Sequence, residues 1–211
     1  MSMDAYNQSL LQQRGQVVAL ALKYGSAFGF REDTIYDGLQ LFDRVMCCGV
    51  PFNANLWSLA LCSCVLLAAH QSEAASCWPQ FSTVTQLTGF ANASLVSMER
   101  NIYVWLHQDI SSISALRVVQ LYLERLGHYL QEYKPAERAG SEVQAVTLKA
   151  ANNPVFIGCR PSAVAATALI ALRKSKGMVP FWPVALQVMT GYTDLHVGDL
   201  AICLSHLDSL M

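Results

Sequence analysis

The chain has 211 residues, of which 53% are hydrophobic and only 14% charged, and its net charge is −1. That balance is the reverse of a disordered segment's, so most of the chain must pack into a core. Residues 1–110 carry 5 Lys+Arg against 8 Asp+Glu, and residues 111–211 carry 9 against 7. Neither half concentrates the positive charge that phosphate binding demands, which sets nucleic acid aside as the primary partner.

The polar opening (MSMDAYNQSLLQQRG) is not a targeting peptide. The first predicted helix covers about Ser9 to Phe28, where Val17, Ala21, Tyr24 and Phe28 form one apolar stripe. A second covers about Asp33 to Cys48 and is broken by Gly49-Val50-Pro51. The third, about Asn53 to Gln71, is apolar nearly all round, as a helix at the centre of a bundle must be. Its longest apolar stretch, Leu56 to Ala69, is too short for a membrane span. Trp78-Pro79 opens a fourth helix ending near Thr88-Gly89, and a fifth follows Asn92 as N-cap, with Leu95, Met98 and Ile102 on its stripe. Glu132–Gly140 (EYKPAERAG) is the most polar stretch and reads as a solvated connection. Beyond it come a weak helix (Glu142–Ala151), a turn at Asn152-Asn153-Pro154, and a second, Ala-rich central helix from Pro161 to Lys174. Trp182-Pro183 opens a short helix, and Asp194–Leu210 closes the chain. No useful length alternates with period two, so the expected class is all-α.

Two segments look alike. Gln86–Phe90 (QLTGF) and Val188–Tyr192 (VMTGY) each lead into an amphipathic helix, offset by 102 residues from Thr88 to Thr190. Each copy follows a Trp-Pro and a short helix, and each half has its most apolar helix upstream. The pattern implies two bundles of about five helices; the alternative is chance similarity between two helix–turn–helix segments.

Seven cysteines (47, 48, 62, 64, 77, 159 and 203), an odd number with no Cys-x-x-Cys, read as reduced, buried thiols of a nuclear or cytoplasmic protein, with neither disulfide nor metal use expected. Gly-x-Gly-x-x-Gly, the P-loop, Gly-x-Ser-x-Gly and His-Glu-x-x-His are all missing. The histidines (70, 107, 128, 196 and 206) have no ligand spacing, and His107, His128 and His206 read as helix-surface residues. No nucleophile or metal partner is placed to make His70 a catalytic base. The expectation is a non-enzyme with no cofactor, no metal and no membrane contact.

At these residues the chain resembles a cyclin, over roughly Gln13 to Leu210. Gln86–Leu106, with its Met98-Glu99 pair, looks like helices four and five of a first cyclin box. Ser162–Leu207, with Trp182-Pro183 and Thr190-Gly191-Tyr192, looks like a second box of the mitotic types. Asp43-Arg44 matches the Asp-Arg that ends helix two, and Arg14 the Arg of the helix-one motif, with Gly25 and Thr34 in line. The resemblance implies two tandem five-helix cyclin boxes, residues 1–110 and 111–211.

It further implies a regulatory subunit that binds and activates a cyclin-dependent kinase through the first box, using His70, Gln71, Glu73, Glu99 and Tyr103. His70 stands where cyclins carry a Lys; a neutral imidazole offers one donor in place of three and no fixed charge. Arg14 and Asp43, early in helix one and late in helix two, are expected to form a structural ion pair; the alternative is two solvated charges. The candidate substrate-docking patch is Gln13, Gln16, Val17, Leu20 and Ser58, where two apolar contacts of the family have become polar. Kinase substrates or inhibitors are further candidate partners. No destruction box (Arg-x-x-Leu) is present. Two other readings stand: a scaffold that binds without activating, motivated by His70 and by Gln108 in place of an aromatic, and a DNA-binding duplicated cyclin fold, which the charge opposes.

Overall fold

The computed structural model describes residues 8–49, 56–130, 136–196 and 198–211. Its described elements are helices joined by turns, and the chain divides into two compact units, Met1–Ser114 and Ala115–Met211. No described helix is long and apolar enough to cross a membrane.

The first unit contains α1 (Gln8–Gln12), α2 (Arg14–Phe28), α3 (Glu32–Cys47), α4 (Trp57–Ser72), a 3₁₀ turn (Ala75–Cys77), α5 (Phe81–Thr88) and α6 (Asn92–Trp105). The single first helix expected from the sequence is two, interrupted at Gln13. Asn92 begins α6 rather than capping it; Ala91 holds the cap position in extended backbone and no side chain caps the helix. Gly29 ends α2 in the left-handed region (φ 75°), which lets the N–H of Phe30 donate to the carbonyl of Gly25 at 2.9 Å.

Residues 59 to 69 of α4 are all buried, and α2, α3 and α6 pack around it. This is the central helix that uniform apolarity announces. Its closest neighbour is α3. A Cβ on Gly38 would lie 2.7 Å from the Cα of Val65, so the two backbones meet where only glycine fits. Phe42, Leu41, Leu61 and Val65 fill the surrounding core with no exposed surface, each side chain contributing about 1.5–3 kcal/mol of burial.

The second unit contains α7 (Ala115–Leu130), α8 (Ala136–Asn152), a 3₁₀ turn (Pro154–Phe156), α9 (Pro161–Ser175), α10 (Val184–Thr190), α11 (Gly198–Ser205) and a final 3₁₀ turn (Leu207–Ser209). Here α9 is central, wrapped by α7, α8 and α11. Ala163, Ala165, Ala166, Ala168 and Ala171 are all buried along it, small enough for neighbours to approach closely. Residues 136–140 are helical, so the polar stretch Glu132–Gly140 is not wholly a connection; its residues 132–135 lie outside the described ones. No sequence expectation covers α7, whose buried Leu116, Val119 and Tyr122 recur every third position.

The two Thr-Gly-aromatic segments are the same structure. Thr88 donates to the carbonyl of Val84 and Thr190 to that of Leu186, each at 2.7 Å. The N–H of Phe90 and that of Tyr192 each donate back to the threonine hydroxyl at 3.2 Å. Gly89 and Gly191 sit at φ 76° and 75°, left-handed, one residue past the helix end. The likeness of the two segments in sequence thus extends to their hydrogen bonds. The Trp-Pro pairs are less alike: Trp78 is 41% exposed, whereas Trp182 is 6% exposed and donates from Nε1 to the Tyr192 carbonyl at 3.0 Å.

Candidate functional site

The candidate residues of the first unit lie at the C-terminal end of α4 and along α6, two helices that pack together. His70 is exposed in the last turn of α4, and its ring stands 4.4 Å from that of Trp78, tilted by 51°. Partial burial holds its pKa below the ordinary histidine value, so the imidazole is neutral at pH 7. Gln71 is exposed, and its Nε2 donates to the carbonyl of Ile110 at 3.2 Å.

Glu73 has a structural duty that the sequence does not reveal. Arg31, the cap residue of α3, brings no side-chain cap of its own. The Glu73 carboxylate accepts instead from the Arg31 N–H (3.0 Å), the Arg31 Nε (3.3 Å) and the Thr34 hydroxyl (2.6 Å). It thus caps α3 from 39 residues away, where a negative charge also suits the helix dipole. Burial pushes the Glu73 pKa up, but the Thr34 hydroxyl and Arg31 outweigh it and hold the carboxyl below its ordinary value.

Glu99, on α6, is half-buried, and no hydrogen bond or ion pair joins it to any described side chain. Burial raises its pKa. Its charge reaches back to α4, where burial first and then Glu99 push the Cys62 thiol up to about 12. Val96 and Tyr103, 44% and 39% exposed, stand three residues before and four after Glu99 on the same helical face. The result is a half-dry carboxylate between two exposed apolar side chains.

Arg14 and Asp43 form a bidentate ion pair, Nη1 to Oδ1 at 2.5 Å and Nη2 to Oδ2 at 2.8 Å, with each residue only 4% exposed. The alternative of two solvated charges is overturned. Its neighbour Arg44 turns the other way. It donates to the carbonyl of Ser111, and its Nη2 donates to the Asp109 carbonyl at 2.9 Å and to the Asp109 carboxylate at 3.1 Å. The Asp37 carboxylate takes the Ser114 N–H at 2.7 Å and its carbonyl the Ser112 hydroxyl at 2.9 Å. Residues 109–114 are thereby fastened to α3. Sequence reasoning missed this anchorage, as it missed the Arg31–Glu73 contact, because each joins positions far apart in the chain; the His70–Trp78 contact spans only the turn that follows α4.

Of the docking-patch residues, Gln13 and Gln16 are exposed, and Leu20 and Ser58 are partly covered. Val17 is 0% exposed and faces the core. It is a packing residue, and its assignment to the patch is corrected. The reading of all seven cysteines as buried also needs correction: Cys48 and Cys77 are exposed.

Residues 2–111 match the family model of the cyclin N-terminal domain. Over its length the chain is similar in structure to a viral cyclin from herpesvirus saimiri solved by X-ray crystallography. The TM-score is 0.72 at 15% identity, covering 95% of this chain and 86% of that one. No curated protein sequence matches the chain. With over half of its residues matched by that family model, the chain belongs to the cyclin family.

Proposed function

We propose that this chain is a regulatory subunit that binds a cyclin-dependent kinase and activates it through its first unit. The observation that carries this reading is Glu99. A half-buried carboxylate with no hydrogen-bond or ion-pair partner among the described residues is costly in the free protein, and a basic side chain arriving from a partner removes that cost while Val96 and Tyr103 bury apolar surface. Activation is a population shift: the chain favours the active kinase conformation and contributes no catalytic residue itself. The two units act as tandem cyclin boxes, a reading supported by the matched Thr-Gly-aromatic turns. The site of action is the nucleus or cytoplasm.

The test is a pull-down of tagged protein from its native lysate, with mass spectrometry and a kinase assay on the eluate. Recovery of an active cyclin-dependent kinase is expected; no kinase in the eluate sinks the proposal. Glu99→Ala should weaken that complex at least tenfold, the loss of one buried charge contact.

A second reading is an adaptor that binds without activating. It is favoured by the occupied state of neighbouring positions: His70 lies against Trp78, Glu73 caps α3, and Gln71 holds Ile110. A kinase recovered in stable but silent form selects this reading.

A further inference from the structure

The thiols of the second unit occupy unequal places. Cys159 lies in the turn after Pro154–Phe156, half-exposed, its N–H donating to the Phe156 carbonyl at 3.3 Å and its sulfur 3.7 Å from the Val155 carbonyl. Arg160, the next residue, is clamped to the start of α11: its N–H (3.2 Å) and Nε (2.9 Å) both donate to Asp199 Oδ2. Cys203 follows Asp199 by four residues, on the same face of α11, and is fully buried. The clamp therefore carries Cys159 to the face of α11 that holds Cys203, and each thiol shifts the titration of the other.

We propose that Cys159 and Cys203 are an oxidative modification site, closing to a disulfide when the chain meets a hydroperoxide. This reverses the sequence expectation, which set disulfide use aside because the cysteine count is odd and Cys-x-x-Cys is missing. The reaction needs one accessible, acidic thiol and one sheltered neighbour. Cys159 is the first: the Cys203 thiol lowers its pKa against the opposing effect of burial. Cys203 is the second, its pKa raised by Cys159 and by burial. The Cys159 thiolate attacks one peroxide oxygen, the O–O bond breaks, and hydroxide departs, leaving a sulfenic acid on Cys159. The Cys203 sulfur then attacks the Cys159 sulfur. The S–O bond breaks, the S–S bond forms, and the departing hydroxide leaves as water with the Cys203 proton. Two thiols lose two electrons in all, and hydrogen peroxide becomes two waters. Once joined, the two sulfurs stand about 2.05 Å apart.

The sequence makes the product easy to read. Trypsin spares the Arg160–Pro161 bond, so Cys159 falls in the peptide Ala150–Arg173 and Cys203 in Gly177–Met211, each with a single cysteine. The reduced full chain is treated with one equivalent of hydrogen peroxide, alkylated and digested. The expected product is these two peptides joined, lighter by the two lost hydrogens, about 2 Da, released by dithiothreitol and missing from Cys159→Ser. The joined chain should also melt several degrees higher than the reduced one. Cys159 recovered as an uncrosslinked sulfinic acid, or both thiols freely alkylated after the exposed Cys48 and Cys77 have been consumed, overturns the proposal. The decisive digest uses the unsubstituted chain, so it does not depend on any variant folding.

Discussion

Asp43→Ala strikes the first unit where its polar interior is most demanding. The substitution removes both carboxylate contacts, at 2.5 and 2.8 Å, from a guanidinium only 4% exposed. Breaking a buried ion pair from one side leaves its charge uncompensated in a poorly solvating interior and costs about 3–5 kcal/mol. An exposed pair would cost about 0–1 kcal/mol, so the two cases are well separated. At roughly 2–4 °C per kcal/mol for a chain of this size, the expected fall in melting temperature is about 6–20 °C. Far-UV circular dichroism through a thermal ramp and a urea titration measure it. The double substitution Arg14→Met with Asp43→Leu removes both charges, fills the space with apolar atoms and should recover most of the loss. An Asp43→Ala variant within 1 kcal/mol of the parent, or a double variant no better than the single one, refutes the reasoning.

Glu73→Gln should cost about 1–2 kcal/mol, the value of a helix cap made with a charge. Because the folded-state pKa of Glu73 lies below its ordinary 4.5, this stabilisation is complete above 4.5 and fades as pH falls through the lowered folded value. The variant's urea midpoint should therefore vary less with acidification than the parent's. Trp78→Ala should return the His70 pKa toward the ordinary 6.5 by uncovering its ring, as followed by NMR titration; an unmoved pKa shows that Trp78 is not what buries it. In Gly38→Ala, helix propensity gains about 1 kcal/mol, but the new methyl meets Val65 backbone at 2.7 Å, and overpacking costs about 1–3 kcal/mol. Net destabilisation in chemical unfolding is expected, and a stabilised variant would show that α3 and α4 can move apart freely.

What the sequence disclosed follows the range of each interaction. Periodicity and uniform apolarity are local, and they located α3, α4 and α9 to within a few residues. The helix α7 passed unassigned although Leu116, Val119 and Tyr122 mark its buried stripe. The charge-rich EYKPAERAG looked like a solvated loop, yet good helix formers such as Ala, Glu and Arg also begin exposed helices, and α8 starts there. Arg14 and Asp43 were paired through the family resemblance, not through spacing. At the candidate site, Glu99 and Tyr103 were readable as neighbours on one helical turn. The prior engagement of Glu73 with Arg31 and Thr34 was not, because nothing in a linear sequence marks a cap supplied from a distant helix end.

The recurring turn gives the molecule a control experiment of its own. Two turns 102 residues apart share the threonine bonds and the left-handed glycine but differ at the aromatic, Phe90 in one and Tyr192 in the other. The added hydroxyl shares a 2.9 Å hydrogen bond with the hydroxyl of Ser162 at the start of α9, and the Tyr192 carbonyl takes Trp182. The turn at Phe90 has the same shape with no such hydroxyl. Shaping the bend and tying it down are thus separable tasks: threonine and glycine shape it in both places, and the Tyr192 hydroxyl adds a hydrogen bond to α9 in the second.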